Sequence, residues 1–233
     1  MPHAETFHLR PTAPLAERVL LPGDPGRALA LSQALLQEPR MFNHHRGLWG
    51  YTGSAADGAP LSIQATGMGG PSAAIVLAEL IALGARRAIR VGTCGALVAD
   101  LELGSLVIAR EAICADGTSR ALGAGERVSA HRQLTESLAV CAPSARVGAA
   151  MSVDLFYDES GRPPHGDAIA IEMEAAALFA LGAASAIQVA CVLVVSDVFD
   201  AQAQRTRIDD HALLAAAEQM GRAAIAALGA APA

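Results

Sequence analysis

The chain has 233 residues, of which 52% are hydrophobic and only 3% are aromatic, and its formal net charge is −6 at pH 7. The Lys and Arg residues are scattered and form no basic stripe, which argues against a nucleic-acid partner. The four cysteines lack metal-ligand spacing, no signal segment precedes the first elements, and no apolar run reaches the roughly 18 residues of a membrane span. We therefore expect a single domain over residues 1–233, cytoplasmic, with free thiols and no membrane association.

The first predicted strand covers residues 18–21 and runs directly into a turn, Pro22-Gly-Asp-Pro-Gly-Arg27, which opens a helix over about 25–37. Gly23 permits close approach to the backbone at the strand end, and Arg27 lies on the first helical turn, where a guanidinium can clamp a phosphate. An ordinary turn with a solvent-facing arginine explains the same residues. This element alone therefore leaves both interpretations open.

Residues 41–66 alternate polar and apolar side chains between glycine turns, which predicts antiparallel or mixed strands, and Arg46 lies in one of the turns. The stretch Gly67-Met-Gly-Gly-Pro-Ser72 follows another apolar strand and opens a helix over 71–84. Its glycines expose backbone N–H groups at the positive end of that helix. Such a turn is weak evidence for a ligand by itself, but the helix leads to Arg90.

Arg90 lies in a short apolar run that ends at Gly92, a pattern typical of a buried parallel strand. A guanidinium in that position needs an anionic partner, which is either a bound ligand or an internal carboxylate. The loop from Gly92 to Gly95 adds backbone N–H groups and the Thr93 hydroxyl, which together suit an oxyanion. The stretch indicates an anion site, with the internal ion pair as the alternative.

The alternation continues with a strand over 105–114, a polar surface loop over 116–130, a helix over 131–141 and a strand over 146–151. The stretch 158–165 is rich in residues that break regular structure, and we expect a mobile flap there.

Two of the few aromatic residues, Phe156 and Tyr157, stand at a strand end, where a base can stack on either ring; core packing is the alternative. Glu172 and Glu174 flank Met173 at the beginning of an apolar helix. The carboxylates either stabilise the helix N-terminus or, if the helix begins after residue 174, lie on one side of an extended segment, where one can hold a sugar diol.

The strand over 187–195 is wholly apolar and is predicted to be central. Ser196 and Asp197 follow at its carboxyl end, where open α/β sheets bind ligands. A last helix over about 207–229 carries a core-facing apolar stripe. The whole pattern predicts an α/β fold with a central mixed, mostly parallel sheet flanked by helices on both faces.

Six motifs in this order resemble the hexameric bacterial purine nucleoside phosphorylases and their uridine phosphorylase relatives. The motifs are Pro22-Gly-Asp-Pro-Gly-Arg27, Asn43-His-His-Arg-Gly47, Gly67-Met-Gly-Gly-Pro-Ser72, Arg90-Val-Gly-Thr-Cys-Gly95, Glu172-Met-Glu174 and Ser196-Asp197. Each motif is of modest specificity, whereas the ordered set is highly specific and spans nearly the whole chain, from His8 to the last helix.

The resemblance implies a site shared between subunits of a homohexamer built from dimers. It implies that the phosphate ligands are Gly23, Arg27, Arg90 and Thr93, with Arg46 from a neighbouring subunit. The implied nucleoside-binding residues are His8, donated across the interface to the 5′ end of the sugar, Phe156 on the base, Glu172, Met173 and Glu174 around the ribose, and Ser196. Asp197 is the implied catalytic residue, which protonates or hydrogen-bonds N7 of the purine.

The implied activity is reversible phosphorolysis of purine (deoxy)ribonucleosides to the free base and (deoxy)ribose 1-phosphate, a reaction of purine salvage. Inorganic phosphate is the co-substrate, and no metal or organic cofactor is expected. The sequence leaves open the preference among adenosine, inosine and guanosine.

Two departures from the family pattern concern the base end of the site. Purine-type members have an arginine on the last helix that assists the aspartate, but Asp210 stands there, and Arg205 or Arg207 could replace it only in a rearranged loop. The uridine branch has Gln-x-Arg in the flap, where this chain has Ser160-Gly161-Arg162. The uridine branch also lacks an aspartate at the position of Asp197. We favour purines; a uridine phosphorylase acting on pyrimidine nucleosides and a non-catalytic nucleoside-binding protein are the alternatives.

Overall fold

The structure is a computed structural model that describes residues 6–158, 166–200 and 204–230. The strands are β1 (Arg18–Leu21), β2 (Gln37–Asn43), β3 (Gly50–Ser54), β4 (Pro60–Gln64), β5 (Arg87–Ala96), β6 (Leu106–Ala115), β7 (Arg127–Ser129), β8 (Arg146–Val153), β9 (Ala168–Glu172), β10 (Gln188–Phe199) and β11 (Arg205–Arg207). The α-helices are α1 (Pro25–Leu35), α2 (Gly70–Ala82), α3 (Gly117–Ala121), α4 (Arg132–Cys141), α5 (Ala175–Ala184) and α6 (Asp210–Ala230).

The strands form one mixed sheet in the order β11-β10-β6-β8-β9-β5-β1-β4-β3-β2, with β7 paired to β6. A parallel ladder between β5 and β10 joins two strands that lie far apart in this order. The strands β5, β10, β6, β8 and β9 therefore close into a ring, from which β1, β4, β3 and β2 extend. The predicted mixed sheet is confirmed, and its long ladders, β5–β10 and β6–β8, are parallel.

Helices cover both faces of the sheet, as predicted. Successive strand residues point to opposite sides, so strands that are apolar throughout have side chains to bury on both faces. Along β1, Val19 and Leu21 belong to a core cluster that also contains residues of α2 and α5. Leu20 belongs to a second cluster, shared with α1, α4 and α6. In the described part of the chain, every helix is too short or too polar to span a bilayer.

The prediction of a surface loop over 116–130 is wrong, because this stretch contains α3 and β7. The Asp116 carboxylate caps α3 by accepting hydrogen bonds from the backbone N–H and the hydroxyl of Ser119, at 2.7 and 2.5 Å. Strand β7 is held by antiparallel pairing with β6. Elements of five and three residues are too short for hydrophobic periodicity, so their signals lie in a cap and a distant partner strand.

The end of the chain also differs from the prediction. Strand β10 continues to Phe199, so Ser196 and Asp197 lie within it, and the last helix begins at Asp210 because Arg205–Arg207 forms β11. The predicted flap lies outside the described residues except for Asp158.

A buried arginine ties the beginning of β1 to the turn between β3 and β4. The Arg18 guanidinium donates to both oxygens of Asp57, at 2.6 and 3.0 Å, and to the carbonyl oxygens of Ala59 and Pro60. The hydrogen bonds from Arg18 lower the pKa of Asp57 from 3.8 to about 2. The ionised carboxylate is thus the form that stabilises the fold.

We expect Asp57→Asn to lower the free energy of unfolding by about 1 kcal/mol at neutral pH, a value reduced for solvent screening because the Asp57 side chain is 38% exposed. The difference from wild type should be constant above the unfolded-state pKa near 3.8 and shrink as the pH falls toward about 2. Urea denaturation between pH 3 and pH 7 measures it. Asp100→Asn, which removes a more exposed pair with Arg146, is the matched control and should change little. Equal effects of both substitutions would contradict the prediction.

Candidate active site

The closed ring of strands brings distant residues together at the carboxyl end of β5. Gly95 in β5 is the register partner of Ile171 in β9 on one side and of Asp197 in β10 on the other. Glu172 directly follows Ile171, and the parallel β8–β9 ladder pairs Glu172 with Ser152. The strands of the ring therefore surround the predicted anion loop with carboxyl and hydroxyl groups.

Arg90 is 3% exposed and forms ion pairs with two carboxylates. Its Nε lies 3.0 Å from Oε2 of Glu172, and its Nη2 contacts Oε2 of Glu174. Burial opposes the charge, but Glu174 and Glu172 raise the pKa of Arg90 above its ordinary value. The internal carboxylate foreseen as the alternative partner is therefore present. The Nη1 atom, in contrast, is buried without a hydrogen-bond partner among the described residues, so the protein leaves this donor unsatisfied.

Glu172 holds the Arg90 guanidinium in place through an ion pair at Nε. Its carboxylate accepts hydrogen bonds from the Ser152 hydroxyl and from the backbone N–H groups of Glu174 and Ala175, both at 2.9 Å. Burial raises the pKa of Glu172, and the adjacent Arg90 opposes that shift. With so many donors directed at it, this carboxylate is a rigid support for Arg90 and for the beginning of α5.

Glu174 links the beginning of α5 to the loop before α2. Helix α5 begins at Ala175, so the helix start that this alternative required is confirmed, but Glu172 is the last residue of β9 and Glu174 lies in the bend that follows, with φ of −136° and ψ of −24°. Glu172 also accepts the N–H of Ala175, so helix stabilisation holds as well. The Oε1 atom of Glu174 accepts the N–H of Gly69 at 2.5 Å. Met173 lies partly buried between the two glutamates.

The two glycine loops lie against each other, one after β1 and one before α2. The N–H of Gly67 donates to the Gly23 carbonyl at 3.0 Å, and a Cβ on Gly23 would come within 3.3 Å of the Gly67 oxygen. The Asp24 carboxylate caps α1 by accepting the N–H of Arg27 at 2.6 Å. These contacts fix the backbone from which the Arg27 side chain projects.

Three arginines act on one another electrostatically in this region. Burial lowers the pKa of Arg27, Asp24 and Glu174 oppose the shift, and the positive charges of Arg90 and Arg207 lower the pKa further. An anion placed between guanidinium groups that repel one another lowers that repulsion. Thr93, also predicted to bind phosphate, lies partly buried three residues after Arg90 on β5.

Asp197 lies at the other end of this region and is 6% exposed. Its Oδ2 accepts the Ser196 hydroxyl at 2.6 Å, and its Oδ1 lies 3.6 Å from Nε of Arg205. The guanidinium carbon of Arg205 is 4.4 Å from the centroid of the Phe156 ring and 5.4 Å from that of Phe199. One arginine thus contacts both the predicted catalytic carboxyl and the predicted base-stacking ring.

The short strand β11, which the sequence analysis missed, presents this arginine. Antiparallel pairing with β10 places Arg207 opposite Asp197 and Arg205 opposite Phe199. Alternate residues of a strand share a face, so both arginines lie on the same side of β11 as these partners. The only sequence signal was the alternation Arg205-Thr-Arg207. The ion pair with Asp197 belongs to Arg205, a choice that the sequence left open.

His8 and Arg46 are not joined to this cluster by any hydrogen bond or ion pair found in the described ranges. The Nδ1 atom of His8 lies 2.7 Å from a carboxylate oxygen of Glu79 on α2. Arg46 is exposed and has a left-handed backbone, with φ of 58°, in a single 3₁₀ turn, His45–Gly47. Their roles as residues donated across a subunit interface stay predictions.

The side chains suited to metal binding are dispersed. Within residues 6–158, 166–200 and 204–230, no three His, Cys, Asp or Glu side chains form a group that could hold a metal ion. The four cysteines are free thiols, and burial raises the pKa of Cys94 and of Cys191, both next to Arg90.

Comparison with known proteins gives this arrangement a family. The sequence profile described as "Phosphorylase superfamily" matches residues 17–229. The chain belongs to the phosphorylase superfamily. Two curated superfamily relatives are named purine nucleoside phosphorylase DeoD-type. The relative from Alkaliphilus metalliredigens (strain QYMF) is 35% identical over 78% of this chain and 83% of its own length. The relative from Bacillus thuringiensis (strain Al Hakam) is 37% identical over 78% of this chain and 82% of its own length.

Membership of the phosphorylase superfamily confirms the family that the six motifs indicated, whereas the hexameric assembly stays a prediction. The matched range contains the residues of the candidate site that make the contacts described above: Arg27, Arg90, Glu172, Glu174 and Asp197. The matched range begins after His8, which therefore gains no support from it.

Proposed function

We propose that this chain is a purine nucleoside phosphorylase, a pentosyltransferase that reversibly converts a purine (deoxy)ribonucleoside and phosphate to the free base and (deoxy)ribose 1-phosphate. The observation that carries the proposal is the unpartnered, buried Nη1 of Arg90 in a cluster that also contains Arg27 and ends at Asp197. The names of the curated relatives support the same reaction.

Phosphate occupies the space bounded by Arg27, Arg90, Thr93 and the backbone of Gly23. Arg90 cannot turn away from this space, because Glu172 and Glu174 hold its Nε and Nη2. A guanidinium fixed in this way orients the anion with little loss of conformational entropy on binding. The anion needs no covalent bond to the protein, so its oxygen remains free to attack the sugar.

Glu174 is the acceptor for the ribose hydroxyls, with Met173 packed beside the sugar. Each carboxylate oxygen has two lone-pair sites, so the contacts to Gly69 and Arg90 leave acceptor capacity for a diol. Because Glu174 and the phosphate share Arg90 as a partner, the sugar is held directly against its nucleophile.

The reaction then proceeds through an oxocarbenium-like transition state, as in other glycosyl transfers. A phosphate oxygen forms a bond to C1′ while the bond from C1′ to N9 breaks, and the electron pair of that bond moves into the purine. Asp197 stabilises the departing base by donating a proton or a hydrogen bond to N7. The negative phosphate and Glu174 stabilise the developing positive charge of the sugar.

The finer features follow the family resemblance. We propose a homohexamer built from dimers, in which His8 and Arg46 complete the site of a neighbouring subunit, and a cytoplasmic role in purine salvage. Phosphate is a co-substrate, and the reaction uses no metal or organic cofactor. Both curated relatives are matched over more than four-fifths of their length, which fits one catalytic domain over residues 1–233.

The decisive experiment follows release of free base from inosine, guanosine and adenosine in the presence and absence of phosphate. We expect base and ribose 1-phosphate to form in equal amounts, and only when phosphate is present. Undiminished base release without phosphate would instead identify a nucleosidase. Faster turnover of uridine than of any purine nucleoside would identify a uridine phosphorylase, and binding without turnover a nucleoside-binding protein.

A further inference from the structure

The base end of the site contains an arginine in a position that the family motifs do not assign. Arg205 comes from β11, its guanidinium carbon lies 4.4 Å from the centroid of the Phe156 ring, and its Nε lies 3.6 Å from Oδ1 of Asp197. The side chain is 36% exposed, so its remaining N–H groups are accessible from the open side of the site. A base that reaches both Phe156 and Asp197 must therefore also meet this guanidinium.

Purine bases differ in what they offer at that edge. The N7 atom accepts a hydrogen bond in every purine, but position 6 carries an oxygen acceptor in hypoxanthine and guanine and an amino donor in adenine. A guanidinium has five donors and no acceptor, so it suits the adjacent acceptors N7 and O6 and has nothing to offer an amino group.

Resting on the proposed function, we propose that Arg205 gives this site a preference for 6-oxopurine nucleosides over adenosine by donating a hydrogen bond to O6 while Asp197 faces N7. Three contacts carry this inference. The ion pair with Asp197 fixes one end of the guanidinium beside N7, the stack against Phe156 restricts its plane, and the antiparallel register of β10 and β11 fixes the backbone.

Among the described residues, Asp197 is the carboxylate paired with Arg205, so it is the acceptor to consider for an adenine amino group. Its Oδ2 atom accepts the Ser196 hydroxyl, whereas Oδ1 lies 3.6 Å from Nε of Arg205, has no hydrogen-bond partner among the described residues and is the oxygen that faces N7 in this proposal. An amino group at position 6 would meet the Arg205 donors and leave one of the two groups without a partner, which is the situation that excludes a substrate most strongly.

The test compares kcat/KM for inosine with kcat/KM for adenosine at saturating phosphate. We expect wild type to prefer inosine by about 10-fold or more, and Arg205→Met to bring the ratio close to one by losing inosine activity. Arg205→Lys, which keeps the charge without the planar fork, should give an intermediate ratio. Arg207→Met is the matched control: it removes the same charge from the same face of β11 and should affect both nucleosides equally.

A role limited to holding Asp197 would lower the activity on both nucleosides equally in Arg205→Met, and an arginine that merely covers Phe156 would give higher activity on both once removed. Either result overturns the inference. So does a wild-type enzyme that turns over adenosine as well as inosine, although the proposed function would then stand.

Direct binding of free bases separates the two proposals further. Titration of the protein with hypoxanthine and with adenine should show tighter binding of hypoxanthine, and Arg205→Met should remove that difference. This measurement requires no turnover, so it tests the inference even if phosphorolysis were absent. Equal dissociation constants for the two bases in wild type would refute it.

Discussion

Asp197→Ala should lower kcat for purine phosphorolysis by about 10²–10⁴-fold, the usual contribution of a positioned general acid. The carboxyl group is buried and accepts the Ser196 hydroxyl at Oδ2, with Nε of Arg205 at 3.6 Å from Oδ1, so its position relative to the base does not depend on phosphate. Phosphate is bound by other side chains, Arg27 and Arg90. The dissociation constant for phosphate should therefore change little in this variant.

Single-turnover kinetics with inosine, together with calorimetric titration of phosphate, measure the two effects separately. Asp210→Asn serves as the matched control, because this carboxylate lies exposed in the first turn of α6. It should leave kcat within about twofold, since surface substitutions are usually mild. A small loss of turnover in Asp197→Ala, accompanied by an equal loss of phosphate affinity, would argue against Asp197 as the acid.

The parts of this site that could be predicted from the sequence are those in which one residue determines its own environment. Arg90 lies between apolar neighbours, so its buried charge could be predicted to need an anionic partner. The buried strand itself could be predicted from its hydrophobic run alone. The turn after β1 was recognisable from Pro22 and Gly23, because turn residues act locally. Each of these inferences depends on fewer than ten consecutive residues.

What the sequence could not supply depends on pairing between distant segments. The ladder between β5 and β10 closes the ring that brings Asp197 beside Gly95, and no local pattern encodes that contact. Strand β11 has three residues and exists through its pairing with β10, so Arg205 had no visible partner in the sequence. The division of Arg90 between Glu172 and Glu174 likewise depends on where β9 ends.

Arg90→Met should abolish phosphate binding at millimolar concentrations and lower the free energy of unfolding by about 3–5 kcal/mol. Two effects combine, because the substitution removes the donor with the unpartnered Nη1 and leaves Glu172 and Glu174 as buried carboxylates without their cation. Urea denaturation measures the second effect and phosphate titration the first. Arg87→Met is the control from the same strand: its guanidinium donates to the Leu228 carbonyl at 2.7 Å, so it should cost stability without weakening phosphate binding.

Gly92→Ala separates anion binding from fold stability at the same arginine. A Cβ on Gly92 would lie 2.7 Å from both Cζ and Nη2 of Arg90, so the guanidinium must shift while its charge remains available to the two carboxylates. We expect the KM for phosphate to rise at least about 10-fold, since misplacement by about 1 Å can cost 10²-fold, with a smaller loss of stability than in Arg90→Met. Unchanged phosphate binding in both variants would mean that the anion is held elsewhere. If both variants lose phosphate binding but only Arg90→Met loses much stability, phosphate binding depends on the position of the guanidinium. The stability of the fold then depends on its charge.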